Sequence, residues 1–461
     1  MLSTVFKAYD IRGVVPDQLN DALAAAVGVA FVDVLSAEGP VPGVVVGHDM
    51  RASSPGLARA FAEGAASRGA DVTLLGLCST DELYFAAGVL GVPGAMFTAS
   101  HNPAQYNGIK LCRAGAAPVG EDTGLTAVRD RVGDPSRGGD HAPEPGRIER
   151  RDMLDDYAAY LRGLVDLSGA RPLTVVVDAG NGMAGLTVPA ALSDQSLTVV
   201  PLYFELDGTF PNHEANPIEP ANLVDLQREV VARGADLGLA FDGDADRCFV
   251  VDERGEVVTP STLTALIAAR ELAREPGGVV VHNLITSRAV PEVVAESGGT
   301  PVRTRVGHSF IKQVMAETGA VFGGEHSGHF YFRDFWRADS GLLAARHTLA
   351  ALGETDRPLS ELLAPYDRYS VSGELNTAVT DPAATTRVVR SAFELRPGVV
   401  VDELDGLTVM ADTWWFNLRP SNTEPLLRLN VEAADDDELA RVRDEVLALV
   451  RPGHDREATP T

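Results

Sequence analysis

At 461 residues the chain is too long for a single hydrophobic core, and with 45% hydrophobic and 23% charged residues it is neither disordered nor fibrous in composition. No apolar run reaches the ~18 residues of a membrane span, residues 1–7 lack the apolar stretch of a signal peptide, and Cys78, Cys112 and Cys248 make neither a disulfide framework nor a zinc pattern. A net charge of −26 argues against binding to nucleic acid or anionic membrane, so a cytoplasmic protein of several domains is expected, and any phosphorylated substrate must be drawn by local positive charge.

Along the chain, β-branched runs alternate with Ala/Leu-rich amphipathic stretches, the pattern of sheets covered by helices. Val44-Val45-Val46 precedes Gly47-His48-Asp49, residues 71–75 precede Gly76, and residues 92–98 run into Ser100. Each reads as a strand delivering polar residues at its C-terminal end, where open α/β sheets hold ligands. Residues 130–151, rich in Gly, Pro and charge, close a first domain, and a helix over 152–164 leads into the next. The pattern restarts at residues 173–178 and again at 279–281, predicting three similar α/β units. From about Tyr369 strands over 407–410, 415–418 and 427–431 and a helix over 437–450 predict a small α+β domain.

Four clusters carry chemistry. In Thr98-Ala99-Ser100-His101-Asn102-Pro103, followed by Asn107-Gly108-Ile109-Lys110, a turn set by Pro103 and Gly108 exposes a serine beside a lysine that can neutralise phosphate. A Ser/Asn-capped helix start is the plainer alternative. In Asp242-Gly243-Asp244-Ala245-Asp246-Arg247 three carboxylates can converge on one Mg²⁺. An EF-hand is rejected because Arg247 stands where its turn glycine belongs and both flanks read as strands, while a solvated acidic turn would leave like charges in mutual repulsion. Gly324-Glu325-His326-Ser327-Gly328-His329 offers acceptors and a donor suited to sugar hydroxyls, and Gly307-His308-Ser309 adds an imidazole able to act as acid or base; structural histidines are the alternative. Arg419-Pro420-Ser421-Asn422-Thr423-Glu424-Pro425, with Arg428 beyond, combines a guanidinium, hydroxyls and backbone amides as an anion site, or else forms a hairpin turn with a salt bridge to Glu424.

In this order and spacing the four clusters strongly resemble the α-D-phosphohexomutase family of phosphomannomutases and phosphoglucomutases. The likeness runs from Tyr9-Asp10-Ile11-Arg12-Gly13 to the last cluster, through Pro211-Asn212-His213 and Asn216-Pro217. It implies three similar α/β domains with mixed sheets, over 1–150, 151–255 and 256–368, plus a smaller C-terminal α+β domain, 369–461, around a central cleft. By the same resemblance Ser100 carries the phosphoryl group and shares Mg²⁺ with Asp242, Asp244 and Asp246, and Lys110, Arg12, Arg247, His308 and His329 line the reaction centre. Tyr9, His101, Gly307, His308, Arg247, Glu325 and Ser327 contact substrate, Glu325 and Ser327 as readers of the sugar's O3 and O4. Arg419, Ser421, Asn422, Thr423 and Arg428 clamp the non-reacting phosphate.

The expected reaction moves a phosphoryl group between C1 and C6 of mannose or glucose phosphate through hexose 1,6-bisphosphate, which also serves as activator. The partners are small hexose phosphates, not nucleic acid or membrane, and the expected state is a monomer or homodimer. Phosphoglucosamine mutases more often carry Gln at His326 and Gly at Asn422, which makes that activity the alternative, followed by a serine-dependent sugar phosphatase or a binding protein without catalysis. Some relatives also place a lysine near Leu284; here Arg288, Arg303 or Arg305 would have to replace it.

Overall fold

The computed structural model describes residues 2–134, 142–420 and 426–451, with the His308 side chain outside that description. The β-branched runs become four sheets. In the first, the strands lie in the order Ile11–Val14, Tyr106–Cys112, Gly94–Phe97, Gly43–His48, Asp71–Leu77, Ile148–Arg150. The first two pairings are antiparallel and the remaining three parallel, so the sheet is mixed. The second sheet runs Val257–Val258, Cys248–Asp252, Leu237–Phe241, Leu173–Asp178, Leu197–Leu202, and the third Thr300–Thr304, Val279–Asn283, Phe322–Gly324, Phe330–Phe332, Ala338–Asp339. Both are again part parallel, part antiparallel. The fourth sheet, Ser370–Ala378, Leu426–Ala433, Trp414–Pro420, Leu407–Met410, Val400–Asp402, is wholly antiparallel, with helices Pro382–Phe393 and Asp436–Val450 packed against it.

One structural rule places all four sequence clusters. Each is the connection of an antiparallel strand pair: Phe97 faces Ile109, Phe241 faces Cys248, Gly324 faces Phe330, and Pro420 faces Leu427. The helix-start alternative for Ser100 is thereby set aside. The expected role of Gly108 in the turn is corrected: it lies inside the Tyr106–Cys112 strand, where a Cβ would come within 2.6 Å of the Ile11 carbonyl and 2.7 Å of that of Thr98. Glycine is needed there for close backbone approach, not for turning.

The first three sheets share a continuous core that includes Leu83, Phe85, Tyr157, Val177, Phe241, Phe335 and Leu342. At its centre Asp81, fully buried at the start of helix Thr80–Leu90, accepts hydrogen bonds from Tyr157 Oη (2.5 Å) and Ser340 Oγ (2.7 Å). One carboxylate thus ties three units together. The fourth unit keeps its own core and meets the third through a smaller cluster of Leu284, Ile285 and Trp415. Among the described residues no helix is long and apolar enough to cross a membrane.

Candidate active site

The serine loop is built from below by a cation. Arg51, 1% exposed, donates from Nη2 to the carbonyls of Ser100 (2.9 Å) and Asn102 (2.6 Å) and from Nη1 to those of Pro103 (2.9 Å) and Tyr106 (3.2 Å). Its Nε is paired with buried Asp49 at 3.2 Å, and its guanidinium lies over the Phe210 ring at 5.0 Å. Four side-chain bonds fix the carbonyls of the loop, and Ser100 itself adopts φ 50°, a left-handed conformation that a serine keeps only where its surroundings demand it. Its Oγ donates to Asp242 Oδ2 at 2.7 Å and receives Arg247 Nη2 at 3.0 Å. The metal-loop backbone comes so close that a Cβ on Gly243 would stand 2.4 Å from the Ser100 carbonyl oxygen.

Around this hydroxyl the acidic loop is buried and cross-linked. Lys110 Nζ bridges Asp244 Oδ2 and Asp246 Oδ2, each at 2.6 Å, and Arg247 pairs with Asp242 at 2.7 Å. Thr80, from the first domain, donates its hydroxyl to Asp244 Oδ2 (2.6 Å) and its N–H to the Asp244 carbonyl (3.0 Å). Burial opposes charge on Lys110, yet the two aspartates outweigh it and raise its pKa well above the usual lysine range; burial pushes Asp242 up to about 8 despite Arg247. The His101 imidazole, pushed well down by burial and by the Arg247 and Arg12 charges, is neutral and accepts from Arg247. Arg12 in turn bonds Asn102 and Asp10.

A metal ion fits this set. The three carboxylates bring ligand oxygens within 4.8 Å of one another, and the buried Asp244 Oδ1 and Asp246 Oδ1 accept no hydrogen bond among the described residues. Buried acceptors are seldom left so, and a close set of hard carboxylate oxygens suits a divalent cation.

The third loop closes over the same centre. His329 pairs backbone to backbone with Arg247; its Nε2 lies 3.6 Å from Asp246 and 3.8 Å from Asp339, and its Nδ1 3.0 Å from Ser327 Oγ. Lys312, itself buried, pairs with Asp339 at 2.6 Å. Glu325 is held by Tyr331 Oη (2.6 Å), Asn283 Nδ2 (3.2 Å) and the Gly307 N–H (3.1 Å). Gly307 also sits against the Tyr9 hydroxyl, since a Cβ there would come within 2.7 Å of it. Burial raises the Tyr9 pKa, opposed by Arg305, so first and third domains meet at this point. His308 begins helix His308–Thr318.

Of the fourth cluster, Arg419 and Arg428 are neighbours across the sheet, both paired with Glu374, at 2.6 and 3.2 Å. Ser421, Asn422 and Thr423 lie outside the described residues. Arg288 and Arg303 are not free to replace the missing lysine near Leu284: Arg288 donates to the carbonyls of Ala411 and Asp412, and Arg303 pairs with Asp402. Arg305, stacked over Phe310 at 4.8 Å, is the one of the three whose charge acts on Tyr9.

Sequence reasoning missed Arg51, Thr80, Asn283, Tyr331, Lys312, Asp339 and Glu374. A usable signal existed only for Arg51, two residues after Asp49 at the end of a predicted strand.

The fold and this centre together define a four-domain enzyme of metal-assisted phosphoryl transfer. The models for phosphoglucomutase/phosphomannomutase alpha/beta/alpha domains I, II and III match residues 3–134, 155–255 and 259–369, and that for the C-terminal domain matches 374–449. The chain is 42% identical over 457 residues to the phosphohexose mutases protein of Xanthomonas campestris pv. campestris, covering 98% of this chain and all of the relative. It is 38% identical over 445 residues to phosphomannomutase/phosphoglucomutase of Pseudomonas aeruginosa, covering 96% and 94%. A solved phosphoglucomutase/phosphomannomutase family protein from Burkholderia thailandensis superposes with a TM-score of 0.89 at 34% identity, over 98% of each chain. The chain belongs to the phosphoglucomutase/phosphomannomutase family.

Proposed function

We propose that the chain is a phosphomannomutase/phosphoglucomutase that interconverts the 1- and 6-phosphates of mannose and glucose through phospho-Ser100. The observation that carries this is the Ser100 hydroxyl, held in a left-handed loop between Asp242 and Arg247 and beside carboxylate oxygens that have no donor among the described residues. In the forward half-reaction the bond from phosphorus to Ser100 Oγ breaks and one to the free sugar hydroxyl forms, giving hexose 1,6-bisphosphate. The intermediate turns end over end, and the return half-reaction rebuilds phospho-Ser100.

Arg247 and Lys110 offset charge on the transferring oxygens, and burial strengthens both effects. We assign the proton of the attacking hydroxyl to His329, flanked by Asp246 and Asp339, with Arg12 and His308 lining the same centre. Mg²⁺ held by Ser100, Asp242, Asp244 and Asp246 would supply Lewis-acid stabilisation of the phosphoryl oxygens. Glu325 and Ser327 read O3 and O4, which mannose and glucose share, so both sugars are substrates. Tyr9, His101 and Gly307 border the sugar, and Arg419 and Arg428, with Ser421, Asn422 and Thr423, hold the distal phosphate. The four domains are assigned limits near 150, 255 and 368, although the edge strand Val257–Val258 of the second sheet lies just past the middle limit.

Phosphorus NMR with Mg²⁺, mannose 1-phosphate and a trace of hexose 1,6-bisphosphate tests the reading. Appearance of mannose 6-phosphate supports it; accumulation of inorganic phosphate would make the protein a phosphatase instead.

A further inference from the structure

The two clamp arginines are already occupied by a carboxylate of the protein. Glu374 lies in strand Ser370–Ala378, just past a bulge that begins at Val371, and its two oxygens divide between the guanidinium groups: Oε2 to Arg419 Nη2 at 2.6 Å, Oε1 to Arg428 Nη1 at 3.2 Å. Asn376, two positions on and therefore on the same face, stands opposite Arg428, which stands opposite Arg419. Arg419 Nη1 and Arg428 Nε donate to no acceptor among the described residues, although both atoms are buried. One carboxylate therefore satisfies two guanidinium groups only in part, and their remaining N–H donors match a larger anion with more oxygens. Glu374 and Arg419 both act electrostatically on His326 of the third domain.

We propose that Glu374 is an internal counter-anion that competes with the substrate's distal phosphate for Arg419 and Arg428 and so sets how tightly the clamp holds. This rests on the assignment of those arginines to the phosphate clamp. The reaction gives the competition a purpose. The bisphosphate must leave the clamp once per cycle to present its other end, and binding that is equally tight in every state lowers KM without raising kcat. Two uncompensated guanidinium groups would retain the intermediate; a carboxylate ready to replace it lets go at a lower barrier and keeps the arginines paired in between.

The test is calorimetric titration with glucose 6-phosphate in excess EDTA, where transfer does not proceed, for the wild type, Glu374→Gln and Arg428→Met. Glu374→Gln keeps the shape and removes the charge, and is expected to bind about tenfold more tightly, within the ordinary range of coupling between two ligands of one site. With Mg²⁺ its KM falls and its kcat falls with it. Unchanged or weaker binding by folded Glu374→Gln, alongside weaker binding by Arg428→Met, overturns the proposal and makes Glu374 a scaffold for the arginines. Wild-type binding by Arg428→Met overturns the clamp assignment itself. If Glu374→Gln does not fold, Glu374→Asp, one methylene too short to span both arginines, is expected to tighten binding by a smaller factor, and no tightening there is equally decisive.

Discussion

Replacing Arg51 by lysine isolates the contribution of the buried guanidinium to catalysis. The wild-type side chain makes five hydrogen bonds, four to carbonyls of the serine loop and one to Asp49. Lysine keeps the charge that Asp49 needs but has only three donors, so at least two of the bonds are lost, at about 1–1.5 kcal/mol each. A loss of about 2–3 kcal/mol leaves the protein folded. The freed carbonyls belong to residues 100–106, so the loop relaxes and the Ser100 Oγ moves relative to Arg247 and Asp242. A misplacement of about 1 Å at a reacting atom lowers the rate by about 100-fold. Steady-state mutase kinetics should therefore give Arg51→Lys a kcat about 100-fold lower, with KM nearly unchanged because the proposed distal-phosphate clamp is untouched. A variant with lowered thermal stability but wild-type kcat would refute the reasoning and leave Arg51 as a stability residue alone.

Thr80→Val removes a side-chain hydroxyl donated to Asp244 from the first domain; apparent Mg²⁺ affinity, read by calorimetry as well as activity, should fall about tenfold, within the range for outer-shell partners, and return in Thr80→Ser. Asp244→Asn should lose both rate and metal dependence, and activity persisting in excess chelator would contradict the ligand assignment. His347 is buried and stacked on Phe332, and burial, aided by Arg270, pushes its pKa down to about 3. Because that lies below the unfolded value of about 6.5, the folded state binds fewer protons, and the stabilisation present above pH ~6.5 is lost at about 1.4 kcal/mol per unit as pH falls toward 3. His347→Leu should show a shallower loss of stability between pH 7 and 5 in urea titrations; an identical slope would refute this.

What could be read from the sequence follows from how local each feature is. Ser100, the three aspartates and the Glu325–His329 group each sit in one short loop that follows an apolar run, so the sequence marked both the entering strand and the chemistry. Antiparallel pairing of the strands on either side of Ser100 was not legible, since Tyr106–Cys112 contains Asn, Gly and Lys where a strand pattern would want apolar residues. The supporting residues were hidden for a different reason. Arg51 meets the serine loop across about fifty positions, Thr80 meets Asp244 across 164, and Ser340 meets Asp81 across 259. Such contacts have no local periodicity. A buried arginine or threonine also looks, in a single sequence, like any surface polar residue.

The central claim, that Ser100 carries the phosphoryl group from one hexose position to the other, is tested most directly by transfer of label. The protein is incubated with radiolabelled hexose 1,6-bisphosphate and Mg²⁺, freed of small molecules, digested and mapped, and a second portion is chased with unlabelled mannose 1-phosphate. Label confined to the peptide containing Ser100, absent from Ser100→Ala, and chased onto the hexose is the predicted result. Label on another residue, or release only as inorganic phosphate during the chase, would contradict it.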